Sequence, residues 1–114
     1  MIKLGIAGAG RMGLAIINAV NEFADLEISS VWVRDPDAAR DMATPSGAII
    51  SSALAHVGAA AAVVIDFSLF EATEQVASAV VRHGKARVCG VSGLGDVQLA
   101  ALEEASRSVA VVYD

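Results

Sequence analysis

The chain has 114 residues, with 13 acidic and 8 basic side chains and a formal net charge of −5; the pI is near 4.8 and the mean hydropathy +0.60. It is 55% hydrophobic, only 4% aromatic, and has one cysteine, Cys89. These figures fit one domain and exclude a disordered chain, an internal disulfide, a multi-thiolate metal site and a basic nucleic-acid face.

Short β-branched runs alternate with longer amphipathic stretches. Ile2 to Ala7 is a compact apolar run ending at a glycine loop, as a buried strand would be. Arg11 to Asn21 follows with Met12, Ala15, Ile16, Ala19 and Val20 at helical spacing. Glu27 to Val33 reads as a second strand, and Asp35-Pro36-Asp37 as a turn opening a short helical piece. Ala48 to Ser51 predicts a brief third strand and Ser52 to Val57 a short helix or loop.

Val63 to Phe67 is the clearest buried strand. Glu71 to His83 then reads as a helix with Ala72, Val76, Ala79 and Val80 on one face and Gly84 at its C-terminal cap. Arg87 to Gly90 predicts a strand, Asp96 the cap of a helix whose apolar face carries Leu99, Ala100 and Leu102, and Val109 to Tyr113 a last strand. Regular strand–helix alternation implies an α/β, Rossmann-like doubly wound parallel sheet covered by helices on both faces, as a single domain.

From Met42 to Ile65 there are 24 consecutive residues without a formal charge. This stretch includes Thr44, Pro45, Ser46, Gly47, Ser51, Ser52, His56 and Gly58, so it reads as sheet and loop and not as a membrane span. The N-terminal IKLGIAGAG is strand-like and has no signal-peptide pattern. With a lone cysteine, these features lead to an expected cytoplasmic location.

Gly8-Ala9-Gly10-Arg11-Met12-Gly13 matches G-x-G-x-x-G between the first strand and the first helix. Gly8 permits the tight turn, Gly10 lets backbone approach a pyrophosphate, and Gly13 lets helix and strand pack closely. The helix N-terminus then offers unpaired N–H groups and the positive end of its dipole to phosphate. The same fingerprint asks for an acidic residue at the end of the second strand, and Asp35 lies 22 residues after Gly13. Asp35 suits the hydroxyls of an unphosphorylated ribose, whereas the preceding Arg34 suits a 2′-phosphate, so NAD and NADP both stay open.

Other chemistry-bearing residues read as structural. Asp66 ends a buried strand and is expected to anchor the following loop, Cys89 to be a core thiol, His83 to cap its helix, and Trp32 to fill the core of the second strand. His56 receives no role, and no catalytic or metal-ligating constellation is visible.

Essentially the whole chain, most densely from Val63 to Asp114 and thinly between Asp35 and Gly47, resembles bacterial dihydrodipicolinate reductase, also called 4-hydroxy-tetrahydrodipicolinate reductase, in its nucleotide-binding domain. The motifs are GRMG (Gly10 to Gly13), IDF followed by Ser (Ile65 to Ser68), E-A-T (Glu71 to Thr73) and HGK (His83 to Lys85). They continue with G-x-[ST]-G-[FL] (Gly90 to Leu94) and Q-x-x-A-L-E-E-A (Gln98 to Ala105). The chain departs from the family in a glycine loop one residue shorter, Val91 in place of a hydroxyl residue, Phe70 in place of a proline, and Arg34 before instead of after the acidic residue.

The resemblance implies hydride transfer from NADH or NADPH to a small cyclic dicarboxylate in the diaminopimelate route to lysine. It implies that Gly8, Ala9, Gly10, Arg11, Met12 and Gly13 hold the pyrophosphate and that Arg34 or Asp35 lies near the adenosine ribose. Phe67, Ser68, Gly90, Val91 and Ser92 would line the nicotinamide end. The family's second domain carries the substrate-binding cations and builds a homotetramer. The chain is therefore expected to be the nucleotide-binding half, able to bind dinucleotide without turning over substrate. The alternatives are a stand-alone NADH-sensing module or a reductase of another imine or amine.

Overall fold

The computed structural model describes residues 1–37 and 47–113. In chain order it forms β1 (Ile2–Ala7), α1 (Arg11–Val20), β2 (Leu26–Trp32), β3 (Ile49–Ser51), α2 (Leu54–Ala60), β4 (Val63–Asp66), α3 (Thr73–His83), β5 (Ala86–Cys89), α4 (Asp96–Ser106) and β6 (Val111–Tyr113). All five strand pairings are parallel, in the order β3-β2-β1-β4-β5-β6. The chain thus starts mid-sheet, winds outward through β2 and β3, then returns to β4 and winds the other way. This is the doubly wound Rossmann-like arrangement expected from the alternation, and it leaves a crevice at the carboxyl ends of β1 and β4. The helical piece expected after the Asp35 turn lies outside the described residues.

Side-chain alternation divides the core between the two faces of the sheet. Leu4 and Ile6 of β1 pack with Ile28, Val31 and Val33 against Ile17 and Val20 of α1. A register shift between Leu4 and Gly5 inserts an extra residue in β2, which is how Ile28 and Val31, three apart, bury on one face. On the opposite face Ala7 and Val64 pack against Val76 and Val80 of α3, and Cys89 and Val91 pack with Leu102 of α4. Cys89 is a buried free thiol, as expected. Trp32 packs at the edge of this core while its indole N–H donates to the Ser52 carbonyl at 3.0 Å.

Three local expectations are corrected. Of the expected stripe of α1, Val20 is buried and Ile16 half-buried, but Met12, Ala15 and Ala19 are exposed; Gly13 and Ile17 complete the buried side, and Met12 is 52% exposed. The reason is steric: Gly13 has to face β1, and this rotates the helix. In α4 the buried residues are Leu102 and Ala105, while Leu99 faces solvent. Asp96 is the first helical residue and not the cap; Gly95 holds that position, and its N–H donates to Gln98 Oε1 at 2.9 Å.

The end of α3 has Gly84 at its cap as expected, but His83 plays a different part. Gly84 adopts φ +65°, and the N–H groups of Gly84 and Lys85 donate to the carbonyls of Val81 and Val80. That glycine motif satisfies the final carbonyls. The His83 ring instead lies against Gly58 of α2, where a Cβ would approach its Cδ2 to 2.9 Å.

Coverage of the sheet is uneven. α1 covers β1, β2 and β4, but on the same side of β5 and β6, in register with Ile65, Val88 and Val112 remain exposed. The expected covering of both faces therefore holds for the middle of the sheet only. The described part of the uncharged Met42–Ile65 stretch forms β3, α2 and most of β4, and among the described residues no helix is long and apolar enough to cross a membrane.

The two leucines of α4 give a direct check of its orientation. Leu102→Ala is expected to destabilise the fold by about 2–5 kcal/mol, the usual range for a buried leucine. Leu99→Ala should cost less than about 1 kcal/mol, as surface substitutions do. Equal losses in chemical denaturation would contradict the placement of the helix.

Candidate functional site

The glycine loop forms at the carboxyl end of β1. Gly8 has φ +99°, and a Cβ there would come within 2.9 Å of the Ser68 Cα. Only glycine satisfies both the positive φ and this approach of the loop after β4. A Cβ on Gly13 would collide with the Gly8 carbonyl oxygen, so the bare backbone of the helix is what lets α1 start directly above the turn. Gly10 differs from both: a Cβ on it meets nothing within 4 Å, and its φ of −75° is open to any residue. Nothing in the folded chain requires glycine there.

Gly10 is also the N-cap of α1 and supplies no side-chain acceptor. The first intrahelical bond runs from the Leu14 N–H to the Gly10 carbonyl at 3.0 Å. The N–H groups of Arg11, Met12 and Gly13 therefore precede the hydrogen-bonded ladder and point out of the helix end. No acidic residue lies in the first turn, so the positive end of the dipole is not neutralised from within. Arg11 adds a fixed charge at this exposed end.

Backbone hydrogen bonds stitch the neighbouring loops to this one. The Gly8 N–H donates to the Trp32 carbonyl at 3.0 Å, the Phe67 N–H to the Ala7 carbonyl at 3.0 Å, and the Gly90 N–H to the Asp66 carbonyl at 2.9 Å. The segments after β2, β1, β4 and β5 thus form one continuous rim. Arg34 and Asp35 sit at its β2 end, both exposed. Asp35 Oδ1 accepts the Asp37 N–H at 3.1 Å, so one of its carboxylate oxygens shapes its own turn.

At the other end of the rim the Phe67 ring lies against Gly90, where any Cβ would run into it. Ser68 is held by Asp66, whose Oδ1 accepts both the Ser68 N–H and the Ser68 hydroxyl. Asp66 therefore anchors its loop, as the sequence suggested. Ser92 is exposed, but the Val91 side chain is 4% exposed and packs into the core with Cys89 and Leu102. Only the backbone of Val91 faces the rim.

One residue of this region escaped the sequence reading. Arg87, expected only as the start of a strand, is 1% exposed, and its guanidinium forms an ion pair with Asp66 Oδ2 beneath the rim. Its second terminal nitrogen donates to the Thr73 carbonyl in the first turn of α3 at 3.2 Å. The available signal was a formal charge inside an otherwise apolar strand, next to a strand that ends in aspartate. Among the described residues no group of His, Cys, Asp and Glu is placed to hold a metal ion.

Comparison with known proteins gives the family and the fold. The 4-hydroxy-tetrahydrodipicolinate reductase of Sulfurimonas denitrificans is 33% identical over 114 residues, covering 99% of this chain and 44% of the relative. That of Alkalilimnicola ehrlichii is 37% identical over 119 residues, covering 97% of this chain and 45% of the relative. The chain thus spans less than half the length of the curated relatives it matches. Among solved structures, GenD2 from gentamicin A biosynthesis in complex with NAD has the same fold, with a TM-score of 0.77 at 19% identity over 98% of this chain and 34% of that one. A family profile described as dihydrodipicolinate reductase, N-terminus, matches residues 2–114, and the chain belongs to that family.

Proposed function

We propose that the chain is the NAD(P)H-binding part of a 4-hydroxy-tetrahydrodipicolinate reductase. The observation that carries this reading is the contrast among three glycines. Gly8 and Gly13 are required by contacts within the fold, whereas Gly10 opens onto free space at an uncapped helix N-terminus. A pyrophosphate is the ligand that both the open cradle and the helix end would suit. The relatives' common name and the family match support the same cofactor class.

In this reading Gly8 to Gly13 hold the pyrophosphate through backbone N–H groups, with Arg11 adding charge. Arg34 and Asp35 meet the adenosine ribose. Phe67, Ser68, Gly90, Ser92 and the backbone of Val91 border the nicotinamide end. The bound nicotinamide supplies hydride, and the rim of this chain fixes which face of the ring is presented. The dicarboxylate substrate, its proton donor and a homotetrameric assembly belong to sequence beyond the part matched in the relatives. A reducing, cytoplasmic setting suits the buried thiol of Cys89.

Two measurements test this. The 114-residue chain should bind NADH and ADP-ribose by calorimetry without reducing a cyclic imine dicarboxylate, and measurable turnover by the chain alone would contradict the division of labour. Gly10→Val should stay folded but weaken NADH at least about tenfold, a loss of about 1.4 kcal/mol or more, by filling the space a phosphate needs. Unchanged NADH affinity in a folded Gly10→Val chain would remove the glycine loop from the site.

The turn after β2 yields a separate prediction. With one Asp35 oxygen committed to its turn, Arg34 is an exposed cation at the β2 end of the rim, where a 2′-phosphate would lie. Arg34→Ala should weaken NADPH by about five- to twentyfold, the scale of losing one charge-assisted contact, and NADH by less than about twofold. NADPH affinity untouched by the substitution would take Arg34 out of the 2′-phosphate site.

A further inference from the structure

The buried Asp66–Arg87 pair is an expensive way to fill the space beneath a parallel sheet. Both side chains are fully removed from solvent, on the face that also carries Val64, Val76 and Val80. Two apolar residues would fill the same volume without desolvating charge, and such replacements are often neutral or stabilising. The pair is not even fully compensated: Arg87 Nε and Thr73 Oγ1 are buried without a hydrogen-bond partner. Stability alone therefore gives a poor account of it.

Position gives a better one. Arg87 joins three segments, holding the Thr73 carbonyl with one terminal nitrogen and Asp66 with the other. Asp66 spends its remaining oxygen on the N–H and hydroxyl of Ser68. Ser68 in turn abuts Gly8 closely enough that no Cβ fits between them, and the adjacent Phe67 ring covers Gly90. An unbroken chain of contacts thus runs from the first turn of α3, through Arg87 and Asp66, to the rim over β4 and β5. Among the described residues, the side-chain hydrogen bonds of Arg87 go to Thr73 and Asp66 and none goes to the adenosine end of the rim over β2.

Resting on the dinucleotide reading above, we infer that Arg87 is a positioning residue: through Asp66 it fixes the Phe67–Ser68 segment that receives the nicotinamide half of the cofactor. Its effect is selective within one ligand. It bears on the nicotinamide ring and much less on the ADP-ribose part, which the glycine loop and the turn after β2 would hold.

The test compares NADH with ADP-ribose, which lacks only the nicotinamide, on the 114-residue chain by calorimetry well below the melting temperature. Arg87→Met is expected to weaken NADH at least tenfold and ADP-ribose less than twofold. Arg87→Lys, which keeps a charge facing Asp66, should recover NADH affinity to within about threefold of the parent chain. Equal losses for both ligands would make Arg87 a general stabiliser and overturn the inference, as would unchanged NADH affinity. Ser68→Ala serves if Arg87→Met fails to fold, because it leaves the ion pair in place and removes one of the two links from Asp66 to the rim. It should weaken NADH severalfold with ADP-ribose unchanged, and no selective loss of NADH would overturn the inference. A parent chain that binds neither ligand would refute the dinucleotide reading itself, a result distinct from both.

Discussion

The missing side chain at Gly13 is the constraint on which the site depends. Because no Cβ stands between α1 and the Gly8 carbonyl, the helix starts directly over the turn that ends β1. That contact sets the rotation of α1, and Ile17 and Val20 then fall on the sheet face beside Leu4, Ile6 and Ile28. It also leaves the first N–H groups of the helix at the crevice where the winding of the sheet reverses. A larger residue would push the helix away, turn its apolar stripe out of the core and move its positive end off the crevice. Packing and ligand binding thus share one steric requirement.

This explains where the sequence was legible and where it was not. Strand positions came through because β1 and β4 are short apolar runs bounded by glycine or aspartate, and parallel strands buried on both faces have that texture. The fold class followed from the alternation, and the glycine loop from its place between strand and helix. Helix faces were harder. A count of apolar side chains in α1 favours Met12, Ala15, Ile16, Ala19 and Val20, of which only Val20 is fully buried, because glycine contributes nothing to such a count, yet Gly13 decides the orientation. In α4 the weak contrast between Leu99, Ala100 and Leu102 left two neighbouring faces nearly equal, and contact with α3 and β6 selects the one through Leu102 and Ala105.

Polar residues divide in the same way. Asp66 was identifiable as a loop anchor, since an aspartate at the end of a buried strand must find donors. Its partner was not, because Arg87 and Asp66 lie far apart in sequence and meet only once β4 and β5 pair. Val91 shows what a segment alone leaves open: the resemblance places it at the nicotinamide end, and strand alternation sends its side chain into the core beside Cys89 while its backbone stays on the rim. Family resemblance identifies segments, and the pairing of strands decides which side chain of a segment faces the crevice.

The most direct test of the central claim is a backbone amide NMR titration of the 114-residue chain with NADH. The account predicts that the largest shifts fall on Gly10, Arg11, Met12 and Gly13, followed by Ser68, Gly90 and Ser92 at the carboxyl ends of β4 and β5. Shifts concentrated at the opposite, amino ends of the strands, around Lys3, Glu27 and Lys85, with the glycine loop unmoved, would contradict it.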